Sequence, residues 1–112
     1  MNILCVPYGS EHQQAVKVGE TLRVLVKTPN DGNTWTGTVS IKTALGAAAT
    51  DTASLSTYTG EKVAGQTFDL SVDYDTSSVP LVAGTRYLAI AEIATGSRSL
   101  DLMTAFDVLP TV

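Results

Sequence analysis

Hydrophobic and polar residues alternate without interruption over residues 68–75. Successive side chains of a β-strand point to opposite faces, so one set is predicted to face a core and the other to face water. A helix would repeat with a period of about 3.6 residues, which this segment does not show. The predicted core-facing side chains are Phe68, Leu70, Val72 and Tyr74, and the predicted solvent-facing ones are Asp69, Ser71, Asp73 and Asp75.

Similar alternation recurs along the chain, with clusters of Gly, Pro, Asn and Asp between the segments. The alternating segments cover residues 22–26, 35–41, 86–93 and 100–108. Residues 44–59 are interpreted as a loop followed by one strand from Ala53 to Tyr58. About seven short strands with a turn every ~8–12 residues is typical of an antiparallel β-sandwich. We therefore predict an all-β fold in a single domain over residues 1–112.

The alternation also predicts which side chains form the core. The segment 86–93 has apolar residues on both faces, so both faces are expected to be buried in a central strand. The predicted core consists of Leu22, Val24, Val26, Val39, Ile41, Phe68, Leu70, Val72, Leu88, Ile90, Phe106 and Val108.

The N-terminal segment, residues 1–14, has two interpretations. It forms either an arm that adds a strand to the sheet of a neighbouring molecule or an edge strand of its own domain. For Tyr8 and Tyr58 the alternative to a contact role is that of ordinary surface tyrosines. The side chains predicted to contribute to an intermolecular contact are Ile3, Leu4, Val6, Tyr8 and Tyr58.

Composition argues against several classes of function. The formal net charge of the 112 residues is −4, and the seven Lys and Arg residues are scattered singly. Proteins that bind nucleic acids or anionic membranes normally carry a basic patch, so neither partner is expected. A single cysteine cannot form an internal disulfide, and no apolar run reaches the ~18 residues of a membrane-spanning helix. Charged residues make up only 16% of the chain, so few strongly hydrated groups would have to lose their water when the surface binds another protein.

No group of residues predicts catalysis or metal binding. His12 has Glu11 beside it in the sequence, but the chain contains no Gly-x-Ser-x-Gly nucleophile motif, so His12 is interpreted as a solvated loop residue. The aspartates of residues 68–75 would stand ~6.5–7 Å apart, too far to share a calcium ion without further ligands. Cys5 is interpreted as a small buried hydrophobic residue, and Trp35 is predicted on the core face rather than on a sugar-binding surface. Neither enzyme activity nor a cofactor is therefore expected.

Three short motifs resemble those of a known family. They are Gly19-Glu20-Thr21-x-Arg23-Val24-x-Val26, Gly84-Thr85-x-Tyr87 and Phe106-Asp107-Val108. Between Val16 and Pro110 the chain resembles the small immunoglobulin-like domains of tailed-phage virion proteins, above all the N-terminal domain of baseplate upper proteins. In that family a Gly-Asp/Glu-Thr opening leads the first core strand, a Gly-x-Tyr opens a late strand, and an aromatic-x-Val pair ends the domain.

The resemblance implies an immunoglobulin-like sandwich of about seven strands without catalytic residues. A baseplate upper protein continues into a fibre-building region, whereas this sequence ends at Val112, so a capsid decoration protein or a head or tail accessory protein is expected. The expected partners are viral structural proteins and further copies of the chain in a homo-oligomer. The expected location is the virion, after assembly in the host cytoplasm.

Two alternatives to this function remain open. The first is a carbohydrate- or receptor-binding sandwich module, and the more distant second is a small hydrolase or metalloprotein. Exposed aromatic side chains along a groove would favour the sugar-binding module. A flat apolar patch or a free sheet edge would favour the assembly protein.

Overall fold

The computed structural model describes residues 2–10, 13–79 and 81–110, which form nine β-strands and no helix. The all-β prediction is therefore confirmed. The strands in chain order are β1 (Ile3–Pro7), β2 (Ala15–Lys17), β3 (Thr21–Val26), β4 (Thr36–Lys42), β5 (Asp51–Ser54), β6 (Ser56–Thr57), β7 (Leu70–Asp75), β8 (Arg86–Thr95) and β9 (Arg98–Leu109).

The strands of the described residues form two sheets that pack face to face as a β-sandwich. One sheet has four strands in the order β1-β3-β7-β6, and the other has five in the order β2-β9-β8-β4-β5. Neighbouring strands are antiparallel except for β2, which runs parallel to β9. The chain therefore changes sheet between β1 and β2, near its N-terminus.

The segment predicted as one strand from Ala53 to Tyr58 is two strands in different sheets. The backbone N–H of Leu55 donates to the carbonyl oxygen of Gly37 in the five-stranded sheet at 2.8 Å, whereas that of Tyr58 donates to Asp69 beside the four-stranded sheet at 2.8 Å. The chain crosses between the sheets over these few residues. No local turn signal marks this crossing, because it is set by the strands on either side.

The main core lies between the two sheets. Tyr74 of β7 reaches across it, and its hydroxyl donates to the carbonyl oxygen of Val39 at 2.7 Å, which joins the sheets through a buried hydrogen bond. The fully buried side chains of the main core include those of Cys5, Leu22, Val24, Val26, Val39, Ile41, Ala89, Ala91, Ile93, Phe106 and Val108.

The predicted core needs three corrections. Leu88 and Ile90 lie on the outer side of the five-stranded sheet and are only half-buried, whereas Tyr87 and Ala89 fill the core. Val72 packs against the core but is only partly buried. Phe68 points away from the main core, because the chain bends at residue 69 before β7 begins and the alternation ends there.

A second, smaller apolar cluster covers the outer side of the four-stranded sheet. Leu4 and Val6 of β1 pack there with Leu25 of β3 and with Phe68, and each of these side chains is buried. Tyr58 and Val63 of the segment before β7 are partly buried against this cluster. The four-stranded sheet is thus covered on both sides over part of its area.

Candidate interaction surfaces

The first predicted contact residues lie in β1, which is an edge strand of its own domain. β1 pairs antiparallel with β3, from Ile3 opposite Val26 to Pro7 opposite Leu22. The side chains of Ile3, Leu4 and Val6 are at most 4% exposed. Of the two interpretations of the N-terminal segment, the structure shows the edge strand, over Ile3–Pro7, and these three side chains are buried within their own domain.

Tyr8 and Tyr58, the other predicted contact residues, both lie against Arg23. The Arg23 guanidinium carbon lies 4.1 Å from the centre of the Tyr8 ring and 5.7 Å from that of the Tyr58 ring, within the range of cation–π attraction. Tyr8 follows β1 and is 60% exposed. We call this surface, with neighbouring Glu61 and Lys62, the tyrosine–arginine groove.

Strand register fixes the position of Arg23 in the groove. Asp73 lies directly opposite Arg23 on β7, and its two carboxylate oxygens accept hydrogen bonds from Nε at 2.9 Å and from a terminal nitrogen at 3.2 Å. The hydrogen bonds to Asp73 raise the pKa of Arg23 above its usual range. The Tyr58 hydroxyl donates to the carbonyl oxygen of Glu61 at 2.7 Å. The result is a pre-ordered cation against two aromatic rings, beside a groove of about 560 Å³.

The aspartates of the alternating segment 68–75 each accept hydrogen bonds from nearby groups. Asp69 accepts hydrogen bonds from the backbone and hydroxyl of Thr28, and Asp75 accepts from Ser77. The hydroxyl of Ser77 is the main cause that lowers the pKa of Asp75. Asp73 binds Arg23 of β3, Asp69 holds Thr28 beyond the end of β3, and Asp75 holds the turn after β7, so each aspartate has its own local contact.

Cys5 and Trp35 are buried as predicted, at 0% and 4% exposure. Burial raises the pKa of the Cys5 thiol. The prediction for His12 lies outside the described residues. Within residues 2–10, 13–79 and 81–110 no cluster of three His, Cys, Asp or Glu side chains is placed to hold a metal ion. The same part of the chain contains no helix long and apolar enough to cross a membrane.

A second exposed surface lies on the outer side of the five-stranded sheet. Leu88 and Ile90 of β8 stand beside Ala105 and Met103 of β9, with which they are in register. Met103 is 51% exposed, and the other three are half-buried. On β4, next to Ile90, stands Ser40, whose hydroxyl hydrogen-bonds that of Thr52. We call the four side chains of Leu88, Ile90, Met103 and Ala105 the apolar face.

Among the described residues, the charged side chains of this surface lie towards the two ends of the apolar face. At one end Lys42 is opposite Leu88, and further on Arg86 pairs with Asp107 at 2.9 Å. At the other end Glu92 and Asp101 lie directly opposite each other on β8 and β9. The surface thus has an apolar and neutral centre between a positive and a negative end.

The sequence predicted one of these surfaces in part and missed the other. Tyr8 and Tyr58 were recognised as contact candidates, but Arg23 was not, since its role depends on register between β3 and β7. Leu88 and Ile90 were assigned to the core because both faces of their segment are apolar. Met103, a large apolar residue at a solvent-facing position opposite Ile90, was the available signal for an exposed face.

No protein-family model and no curated protein matches this sequence. Among solved structures, the chain is similar to the crystal structure of an engineered protein from the Northeast Structural Genomics Consortium, with a TM-score of 0.53 and 18% sequence identity. The similarity covers 98% of this chain and 20% of the engineered one, so the chain spans a fifth of that protein's length. At this identity the likeness concerns the fold alone.

Proposed function

We propose that the protein is a non-enzymatic structural subunit of a tailed-phage virion, a capsid decoration protein or a head or tail accessory protein, that binds neighbouring proteins through its apolar face. The observation that carries the proposal is the exposed apolar centre of a sheet surface with charges only at its ends. Interface cores are depleted of charge, and methionine is enriched in them. A half-exposed Met103 beside Ile90 has that composition.

An immunoglobulin-like sandwich is also part of the proposal. The strand orders β1-β3-β7-β6 and β2-β9-β8-β4-β5 correspond to the two sheets of such domains when the first strand is divided between them. The Tyr87 hydroxyl, at the start of β8, accepts a hydrogen bond from the backbone N–H of Val82 at 2.9 Å, as in the tyrosine corner of immunoglobulin-like domains. Trp35, just before β4, is buried in the core, as is the tryptophan of those domains.

The phage setting rests on the three motifs, and their positions in the fold support it. Gly19 and Gly84 both have positive φ and stand before β3 and β8, where the family pattern has its turn glycines. Phe106 and Val108 are buried at the end of β9. Viral structural proteins are accordingly the proposed partners, and the virion is the proposed location.

The second candidate is a carbohydrate- or receptor-binding module, favoured by the tyrosine–arginine groove. Tyr58 lines a groove of about 560 Å³, and Tyr8 lies next to it against Arg23, so an aromatic ring for sugar stacking is present. However, the guanidinium of Arg23 already lies against Tyr8 at 4.1 Å, so one ring face is occupied. No cation of the described residues is placed over the apolar face in this way, and for this reason we place the assembly function first.

Two variants distinguish these functions, and each serves as the control for the other. Met103→Asp puts a charge at the centre of the apolar face, and Tyr8→Ala removes a ring from the groove on the opposite sheet. We expect the wild-type protein to be a stoichiometric component of virions of the phage that encodes it, and to rebind particles that lack it. Met103→Asp should abolish rebinding while Tyr8→Ala retains it. Absence from virions, or loss with Tyr8→Ala alone, would contradict the proposal.

A further inference from the structure

The register of the five-stranded sheet divides its outer surface into three successive rows. The middle row contains Ser40, Ile90 and Met103. One row beyond, towards the start of β8, stand Lys42, Leu88 and Ala105, and one row in the other direction stand Thr38, Glu92 and Asp101. Rows on one face are ~6.6–6.8 Å apart, so Lys42 and Glu92 are separated by ~13 Å along the sheet.

These end charges have no ion-pair partner among the described residues. The ion pairs among the described residues do not include Lys42, Glu92 or Asp101. Glu92 and Asp101 are also exposed and directly opposite each other, an arrangement of like charges that destabilises a sheet. A cation supplied from outside would offset this repulsion.

We infer that the occupant of the apolar face is a second copy of this chain, related by a two-fold axis along the Ser40–Ile90–Met103 row. The inference rests on the proposed role of the apolar face as an interface and names its partner. Rotation about this axis places the Ile90 and Met103 side chains against their own counterparts, as an isologous interface requires. The same rotation places the Lys42 row of one copy over the Glu92 row of the other.

The dimensions of the sheet permit this contact. After the two-fold rotation, Lys42 lies over the partner subunit's Thr38. Glu92 is opposite Thr38 on the next strand, so the partner subunit's Glu92 is one strand spacing of ~4.8 Å away. Packed sheets stand ~10 Å apart, a gap that a lysine side chain and a glutamate side chain can span together. Each copy therefore contributes its positive end to the partner's negative end, and the two contacts are equivalent.

The area available indicates a dimer of moderate affinity. The five strands of this face contain 3, 12, 10, 7 and 4 residues, and at ~3.3 Å per residue and ~4.8 Å per strand they cover roughly 600 Å² per copy. A standard specific interface buries about 800 Å² per partner. We expect a dissociation constant in the micromolar range, so association has to be measured across concentration.

Charge reversal tests both the partner and its orientation. Lys42→Glu gives a copy with acidic groups at both ends, and Glu92→Lys gives a copy whose added lysine faces Lys42 of the partner subunit. Each variant alone should associate at least ~10-fold more weakly than the wild type, as measured by sedimentation velocity between about 1 and 500 µM. An equimolar mixture should recover association, because both contacts of the mixed dimer then join opposite charges. Both positions are at the surface, and thermal unfolding checks that each variant is folded.

The outcomes separate this inference from the proposed function. Recovery in the mixture supports the two-fold dimer. A wild-type chain that is monomeric at all concentrations overturns the dimer, and so does a dimer that survives both charge reversals and Met103→Asp. In those cases the proposed function is still tested by rebinding to particles that lack the protein. If the apolar face binds a different viral protein, the wild type rebinds and Met103→Asp does not.

Discussion

Gln14 is the residue that joins the edges of the two sheets where the chain passes from β1 to β2. Its backbone N–H donates to the carbonyl oxygen of Cys5 at 2.6 Å, and its side-chain oxygen accepts from the Cys5 N–H at 2.8 Å. On the other side its amide nitrogen donates to the carbonyl oxygen of Ala105 at 2.8 Å and to the Thr104 hydroxyl. A left-handed backbone at Gln14, with φ of 63°, makes this double attachment possible.

We expect Gln14→Ala to destabilise the fold, because it leaves the Cys5 N–H and the Ala105 carbonyl without these partners. The cost should be about 1–3 kcal/mol in the free energy of unfolding, measured by urea denaturation. Gln13→Ala is the matched control, since Gln13 is exposed. An equal effect of the two substitutions would show that the Gln14 side chain does not hold the sheets together.

A second prediction at this scale concerns the buried thiol of Cys5. Burial raises its pKa, so the reactive thiolate form is suppressed at neutral and mildly alkaline pH. A thiol reagent such as Ellman's should react with the native protein only as fast as it unfolds, and at once in denaturant. Rapid labelling of folded protein at pH 8 would contradict the position of Cys5 in the core.

Alternation located most of the strands but did not indicate which strands become neighbours. The period of two located β3, β4, β7 and β8, because these strands bury one face against the same core. It failed at Phe68, where a bend before β7 ends the alternation, and at Leu55, where the chain changes sheet. The alternation also assigned Leu88 and Ile90 to the core, although both lie on the outer side of the five-stranded sheet. Such features depend on which strands become neighbours, and a local pattern carries no information on that.

Gly37 shows how closely two of these strands approach. A Cβ atom at this position of β4 would lie 2.2 Å from the carbonyl oxygen of Glu92 and 2.8 Å from the Cα of Ile93. Gly37→Ala therefore requires the backbones of β4 and β8 to move apart, and it should cost at least the ~1–3 kcal/mol of overpacking. Thr36→Ala, at an exposed position of the same strand, should change the free energy of unfolding by less than about 0.5 kcal/mol. Similar thermal stability of both variants would refute the close approach.

Two strand-end carboxylates make the stability depend on acid pH. The Ser77 hydroxyl lowers the pKa of Asp75, and hydrogen bonds from Arg86 lower that of Asp107. A carboxylate whose folded-state pKa lies below its ordinary value of 3.8 stabilises the fold above that pH, and the contribution is lost as pH falls through the folded-state pKa. The midpoint of urea unfolding should thus decline below about pH 4, and less steeply in Asp107→Asn. An identical acid profile for this variant would rule out the contribution of Asp107.

At the scale of the whole molecule, the two sheets present different outer surfaces. The four-stranded sheet is covered in part by the cluster around Leu25 and by the tyrosine–arginine groove, whose arginine is already held by Asp73. The five-stranded sheet leaves its apolar centre exposed between charged ends. This contrast could not be predicted from the sequence, since Leu25 and Leu88 both belong to alternating segments and differ only in what packs over them.

Whether the apolar face is an interface can be measured at Met103, its most exposed side chain. The sequence contains two methionines, Met1 and Met103, so ¹³C-methyl-methionine labelling reports on the apolar face with a single internal reference. Met103→Leu assigns the signals. The Met103 methyl resonance should shift or broaden as protein concentration rises, or on addition of particles that lack the protein, with the Met1 resonance as the comparison signal. A Met103 resonance that is unchanged under both conditions would contradict an interface at the apolar face.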